Sequence, residues 1–285
     1  MKISDKYLLR YNGVDLSFAN DFYVANWIGG GFEDNISTTP YGGGDGSQVE
    51  GHHAYDRQII ITIKAFNEEQ KQAIYSLFEE RKKSTLTYLP DKDESKAVQI
   101  DCEVKSKVPA QSEFPMNILV TLICPYPHWR SAGKTMEQIC GKVNMWTFPW
   151  IIPRTKTFYF AKNKLGNSVI FNYKGTIATG FVATIKTTQP LTFVKLTNFY
   201  TKEFIEIAQN FPENSEIVID TQQGSKSIKW KDQNSTEYID ISDDIKWGSK
   251  YFGITHGQNR IAISTSEGTS GISAYLTYSE KHGGA

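Results

Sequence analysis

Residues 41–83, YGGGDGSQVEGHHAYDRQIIITIKAFNEEQKQAIYSLFEERKK, decide the fold. A Gly-rich turn, Gly42 Gly43 Gly44 Asp45 Gly46, leads into a strand predicted over Arg57 to Phe66, where Ile59, Ile61 and Ile63 recur at every second position. An amphipathic helix follows at once. Asn67 is placed to cap it, Gln70 sits where a capping-box partner belongs, and Ala73, Ile74, Leu77 and Phe78 mark a stripe of helical period. Lys82 and Lys83 are expected in its last turn, where cations complement the helix dipole.

Outward from that segment the chain reads as strands. Val98, Ile100, Cys102 and Val104 alternate with Gln99, Asp101, Glu103 and Lys105, the pattern of a half-buried strand. Met116, Ile118, Val120 and Leu122 form another after a turn over Val108 to Pro115. In Cys124 Pro125 Tyr126 Pro127 His128 Trp129 Arg130 Ser131 two prolines remove backbone donors and favour extended backbone. A domain boundary is placed just beyond, at Gly133 and Lys134.

From Asn167 onward short apolar runs are bounded by Gly, Asn, Asp and Lys, as a β-sandwich requires. The candidates are Val169 to Phe171, Phe181 to Ile185, Phe193 to Leu196, Phe204 to Ile207, Ile217 to Ile219, Ser227 to Trp230, Tyr238 to Ile241, Arg260 to Ile263 and Ile272 to Tyr278. Ile217 Val218 Ile219 suggests a central strand buried on both faces, and Thr221 to Ser225 a hairpin turn. The fold class expected is mainly β with one amphipathic helix in the first half, in two domains, 1–133 and 134–285.

With 285 residues two cores are within reach. Thirty-one basic and 31 acidic residues cancel, so no global field draws the protein to nucleic acid or an anionic membrane, and partners must be found by shape. The three cysteines, Cys102, Cys124 and Cys140, form no C-x-x-C pair. Their odd count argues against a complete disulfide framework and fits synthesis in a reducing cytosol. Met1 to Arg10 has no apolar signal-peptide core, and no apolar run reaches a membrane-spanning length. The expectation is a soluble protein, neither exported nor anchored by its own signals.

The order of features resembles the distal tail proteins of long-tailed phages that infect Gram-positive bacteria. The N-terminal half carries an early hairpin at Tyr11 Asn12 Gly13 Val14 Asp15 Leu16, the Asp45 Gly46 turn, a Tyr55 Asp56 Arg57 lead into an isoleucine-rich strand, the helix, and the exit Pro125 Tyr126 Pro127 His128 Trp129. The C-terminal half adds Asn172 Tyr173 Lys174 Gly175, Ile219 Asp220 Thr221 and Phe252 to Asn259, similar to the family's turns. Gly42 Gly43 Gly44 departs from the proline-glycine-arginine type of turn more usual there. The resemblance implies an N-terminal ring-forming β-rich domain closing into a hexamer around the tail channel. It also implies a C-terminal galectin-like or carbohydrate-module-like β-sandwich. The ring would join the tail tube protein to the tail-tip hub protein, with receptor-binding proteins as further neighbours, in a virion tail tip, baseplate or phage-tail-like bacteriocin assembled in the host cytoplasm.

No catalytic, cofactor or metal site is expected. Asp91, Asp93 and Glu94 beside Lys92 lack EF-hand spacing and read as a solvated turn. His52 and His53 with Asp56 could pair a base with an orienting group, yet adjacent residues of an extended chain face opposite ways, which favours a surface loop or subunit contact. Nucleophile-elbow, phosphate-loop, dinucleotide and zincin patterns are absent. Carboxylate pairs such as Asp220 with Asp240 discriminate nothing by themselves. Trp146, Trp150, Trp230 and Trp247 suit sugar faces or protein interfaces as well as a core. A glycan-binding module recognising cell-wall saccharide is the alternative to a structural tail part, and a cell-wall hydrolase the third reading.

Overall fold

The computed structural model of the chain describes residues 7–31, 33, 35–144, 161–164 and 166–285. Strands dominate, and Glu68–Leu77 is the one α-helix among the described residues. Met1–Gly133 with Lys281–Ala285 form one unit, and Lys134–Glu280 a second.

The first unit is built on an antiparallel sheet in the order Val14–Asp15, Tyr7–Tyr11, Ser84–Pro90, Val98–Pro109, Met116–Cys124, Arg57–Ala65, Tyr23–Ile28. Its first hairpin turns at Asn12 and Gly13, both with positive φ (48° and 85°), the conformation that a two-residue hairpin turn demands. Alternation sets the core. Ile59, Ile61 and Ile63 lie opposite Leu122, Val120 and Ile118, and all six are buried. At about 25 cal/mol per Å² of apolar surface removed from water, burying such cross-strand pairs favours the sheet.

The helix begins as expected. Asn67 Oδ1 accepts from the Gln70 amide at 2.8 Å, and Gln70 Oε1 accepts from the Phe66 amide at 2.8 Å. Ile74 and Phe78 are fully buried and Leu77 half-buried, with Phe78 against Tyr11 at a ring distance of 4.3 Å. Two expectations fail here. Ala73 is exposed, because one residue before Ile74 is a turn of about 100° toward solvent. Lys82 and Lys83 lie beyond the helix, which ends at Leu77. The terminal carbonyls are served from a distant strand instead. Lys107 Nζ donates to the Phe78 and Tyr75 carbonyls at 3.0 and 3.3 Å and pairs with Glu80 at 3.2 Å.

In the second unit two sheets share one core. The first runs Ala161–Lys164, Thr135–Asn144, Ile272–Tyr278, Val182–Thr187, Glu216–Asp220, Ser227–Lys231, Ile239–Asp240. The second runs Ser168–Tyr173, Gly257–Thr265, Val194–Asn198, Phe204–Ile207. Phe171, Leu196, Ile205 and Ile263 of the second meet Ile139, Ile185, Ile217 and Leu276 of the first. Glu216–Asp220 is an interior strand, yet only Ile217 and Ile219 are buried while Val218 is half-exposed. The run is therefore buried on one face, not both, as befits a sheet with a single partner layer.

Placing 134–285 in one domain also needs correction, because residues 281–285 belong with the first unit. Lys281 and His282 pair with Arg130 and Trp129.

Because Phe78 is sealed from solvent and Leu77 is not, Phe78→Asp should cost about 3–5 kcal/mol, the range for an uncompensated buried charge, and Leu77→Asp clearly less. Chemical denaturation of the full chain followed by circular dichroism checks the order. Equal, small losses would place the helix stripe at the surface.

Candidate assembly surface

Tyr23–Ile28 pairs with Arg57–Ala65, with Ile28 opposite Ile60 and Tyr23 opposite Lys64. Between them the chain forms a second ribbon, Asn35–Pro40 against Ser47–His53, with Asn35 opposite His53 and Pro40 opposite Ser47. This arm closes at Tyr41 to Gly46, where the Tyr41 amide donates to the Gly46 carbonyl at 3.2 Å and Gly43 and Gly46 take positive φ. Sequence reading found the glycine turn but not the arm it closes. All of Asn35–Pro40 is exposed, and so is Ser47–His53 apart from the half-buried Gly51.

The register shifts between Ser37 and Thr38, so that Glu50 bulges and its carboxylate accepts from Thr39 Oγ1 at 2.6 Å. Ile36 stands opposite His52 and Thr38 opposite Val49, which sets Ile36 and Val49 along one exposed side. Tyr41 and Tyr55, also exposed, add aromatic surface at its two ends.

Arg57 fixes the arm's root. Its side chain is only 8% exposed and donates to the carbonyls of Gly29 at 3.3 Å, Gly30 at 3.1 Å and Gly283 at 2.5 Å. The Ala285 amide reaches Gly30 O at 2.9 Å. Burial lowers the guanidinium's pKa, since the charged form loses its water. Gly29 has φ +104° and its Cβ would stand 2.3 Å from the Gln58 carbonyl, so no other residue fits where the arm departs. A cleft of about 550 Å³ opens beside this root, lined by Glu33, Asn35, Tyr55, Asp56 and Arg57 among others. It mixes both charge signs and converges on no single ligand chemistry.

The residues weighed for chemistry are engaged otherwise. His52 and His53 lie on the arm, and His53 packs edge-on against Tyr55 at 4.7 Å while Asp56 lines the cleft. Asp93 caps a short turn through Ser95 at 2.9 and 2.7 Å, and Asp91 and Asp93 lie 3.6 and 3.8 Å from Lys96. Glu94 reaches Arg10 at 2.8 Å. Asp220 accepts from the Gln222 amide and Ser225 Oγ, and Asp240 from both donors of Ser242, which holds the Asp240 carboxyl below its usual range. Both carboxylates thus shape turns. Trp230 packs edge-on to Phe211 at 5.8 Å, whereas Trp247 is 97% exposed; Trp146 and Trp150 lie outside the described residues.

Residues 174–282 match the sequence family of the siphovirus-type tail component, C-terminal domain. That match lies within the second half of the chain and makes this stretch similar to a phage tail component. The fold agrees over nearly the whole length: the Dit protein of SPP1, described as a paradigm of the hub adsorption apparatus in Gram-positive infecting phages, superposes with a TM-score of 0.68. Identity is 10%, over 96% of this chain and 98% of that one. A chain of the phage p2 baseplate, in its activated conformation with Sr, gives a TM-score of 0.50 at 12% identity over 96% of this chain and 97% of its own. No curated protein sequence matches the chain. The resemblance to distal tail proteins is borne out, by the family match over 174–282 and by the shared fold.

Arg57 ties residues 281–285 to the arm's root, so deleting 281–285 should lower the first unit's Tm by several degrees. The loss corresponds to about 1.5–3 kcal/mol for one hydrogen bond to a charged group, before strand pairing is counted. Differential scanning calorimetry of the two chains decides it. An unchanged first transition would make the tail segment a passive adduct.

Proposed function

We propose that the first unit closes into a hexameric ring, and that this ring joins the tail tube protein to the tail-tip hub protein. The observation that carries the proposal is the arm, a two-stranded ribbon exposed along its length with Ile36 and Val49 on one side. An isolated two-stranded ribbon is marginal in water, and its open edges are ready templates for another chain. Head-to-tail contact between identical copies covers every arm when the rotation closes, which a ring achieves. The second unit, read as a galectin-like or carbohydrate-module-like sandwich, carries the contacts to receptor-binding proteins. Zero formal net charge supports a part that docks on several partners without nonspecific attraction to nucleic acid or insertion into a membrane. Trp247 alone speaks for the glycan reading, and a single ring at a turn lacks the convergent polar groups of a sugar site.

Native mass spectrometry and light scattering at high micromolar concentration should show hexamers. A variant with residues 35–53 replaced by a short Gly-Ser linker should be monomeric with its Tm retained, because no arm residue is buried. A monomeric parent, or a variant that assembles as the parent does, overturns the proposal. The parent should also capture a candidate hub protein in a pull-down and release no reducing sugar from purified cell walls. Sugar release that disappears in Asp220→Asn would make it a hydrolase.

A further inference from the structure

Cys102 lies within Val98–Pro109 and Cys124 ends Met116–Cys124. These strands pair antiparallel with Glu103 opposite Ile123, so the next step along the ladder sets Cys102 opposite Cys124. Both side chains turn to the core, at 2% and 0% exposure, and both are free thiols. Directly opposed residues of antiparallel strands have Cα atoms about 4.5–5.5 Å apart, inside the roughly 4.4–6.8 Å that a disulfide spans. Their closeness is felt in ionisation: Cys124 first, and burial second, push the Cys102 thiol far above its usual range. The third cysteine, Cys140, belongs to the other unit, on Thr135–Asn144.

We propose that Cys102 and Cys124 are a disulfide site, a cross-strand staple that reducing surroundings keep open and oxidising surroundings close. A small-molecule disulfide of the oxidised-glutathione type serves as oxidant. One bond forms between the two cysteine sulfurs, the reagent's sulfur–sulfur bond breaks, and the two cysteine protons leave with the reagent as two thiols. The protein pair is oxidised and the reagent reduced. Thiolate is the attacking species, so a thiol held protonated in the folded chain exchanges slowly at neutral pH and faster as pH rises. A cleft of about 420 Å³ lined by Cys102, Ser84, Asp101, Pro125 and Tyr126 gives the reagent an approach at the strand ends. The closed bond restricts the unfolded chain and so raises stability.

The test treats the full chain with oxidised glutathione in mildly alkaline buffer, once folded and once during refolding from denaturant in a glutathione redox buffer. Free thiols counted in denaturant should fall from the three in the sequence to one, with a mass loss of two hydrogens. Peptide mapping should join Cys102 to Cys124, and Tm should rise and return on reduction. Cys140→Ser should retain no free thiol after the same treatment. Three thiols persisting through oxidative refolding, a linkage through Cys140, or a stable glutathione adduct without the cross-link would each overturn the proposal.

Discussion

Arg57 enters the first unit where three segments meet, and burial of its guanidinium among their carbonyls fixes where the arm starts and where residues 281–285 end. Stripping water from a cation is expensive, and carbonyl dipoles offset that only while all of them stay in place. The contact therefore acts as a constraint on geometry more than as a source of stability. Gly29 and Gly30 come close enough to be reached because neither carries a Cβ: one would meet the Gln58 carbonyl at 2.3 Å, the other the Trp27 ring at 2.5 Å. Trp27 in turn packs on Tyr88 and Trp129, so the same few residues link the arm's root to the unit's aromatic core.

Much of the second unit was legible because several of its strands bury one face, and burial on one face writes period two into the sequence. Ser168–Tyr173, Val194–Asn198 and Ile272–Tyr278 all alternate in this way. Thr135–Asn144 hid from the same reading for a local reason. Its register shifts between Gln138 and Cys140, so Ile139 and Cys140 are buried at consecutive positions and the alternation breaks. Gly141, with φ +110° and Ser273 where a Cβ would go, follows directly. The capping of the helix by Asn67 was readable, since it is made within one turn of sequence. Its closure by Lys107 was not, since that bond spans residues that only the fold brings together.

The arm was invisible for the opposite reason: nothing in it is buried, so no hydrophobic period marks its strands. Its sequence is mostly Gly, Ser, Thr, His and other polar residues, with Ile36 and Val49 isolated among them, and it reads as loop. What identifies it is backbone pairing over Asn35–Pro40 and Ser47–His53, and pairing of that kind needs coordinates to be seen. The opposition of Cys102 and Cys124 is a similar case, because sequence gives their spacing but only register gives their meeting.

A ribbon with no buried face has little stability of its own, and this bears on how a ring would close. In the proposed assembly each arm gains its third strand or covering surface from the next copy, so arm order and subunit contact become one equilibrium. An open chain of copies leaves one arm uncovered and one acceptor surface empty, whereas closure satisfies both at once. The last contact then forms within an already connected object, at an effective concentration far above that of free subunits. Partial rings are disfavoured on that ground, and a rigid root is what makes the closing rotation reproducible. The buried Arg57, which follows the arm, supplies that rigidity where the ribbon itself has none by tying itself to the Gly29 and Gly30 carbonyls before the arm and to Gly283.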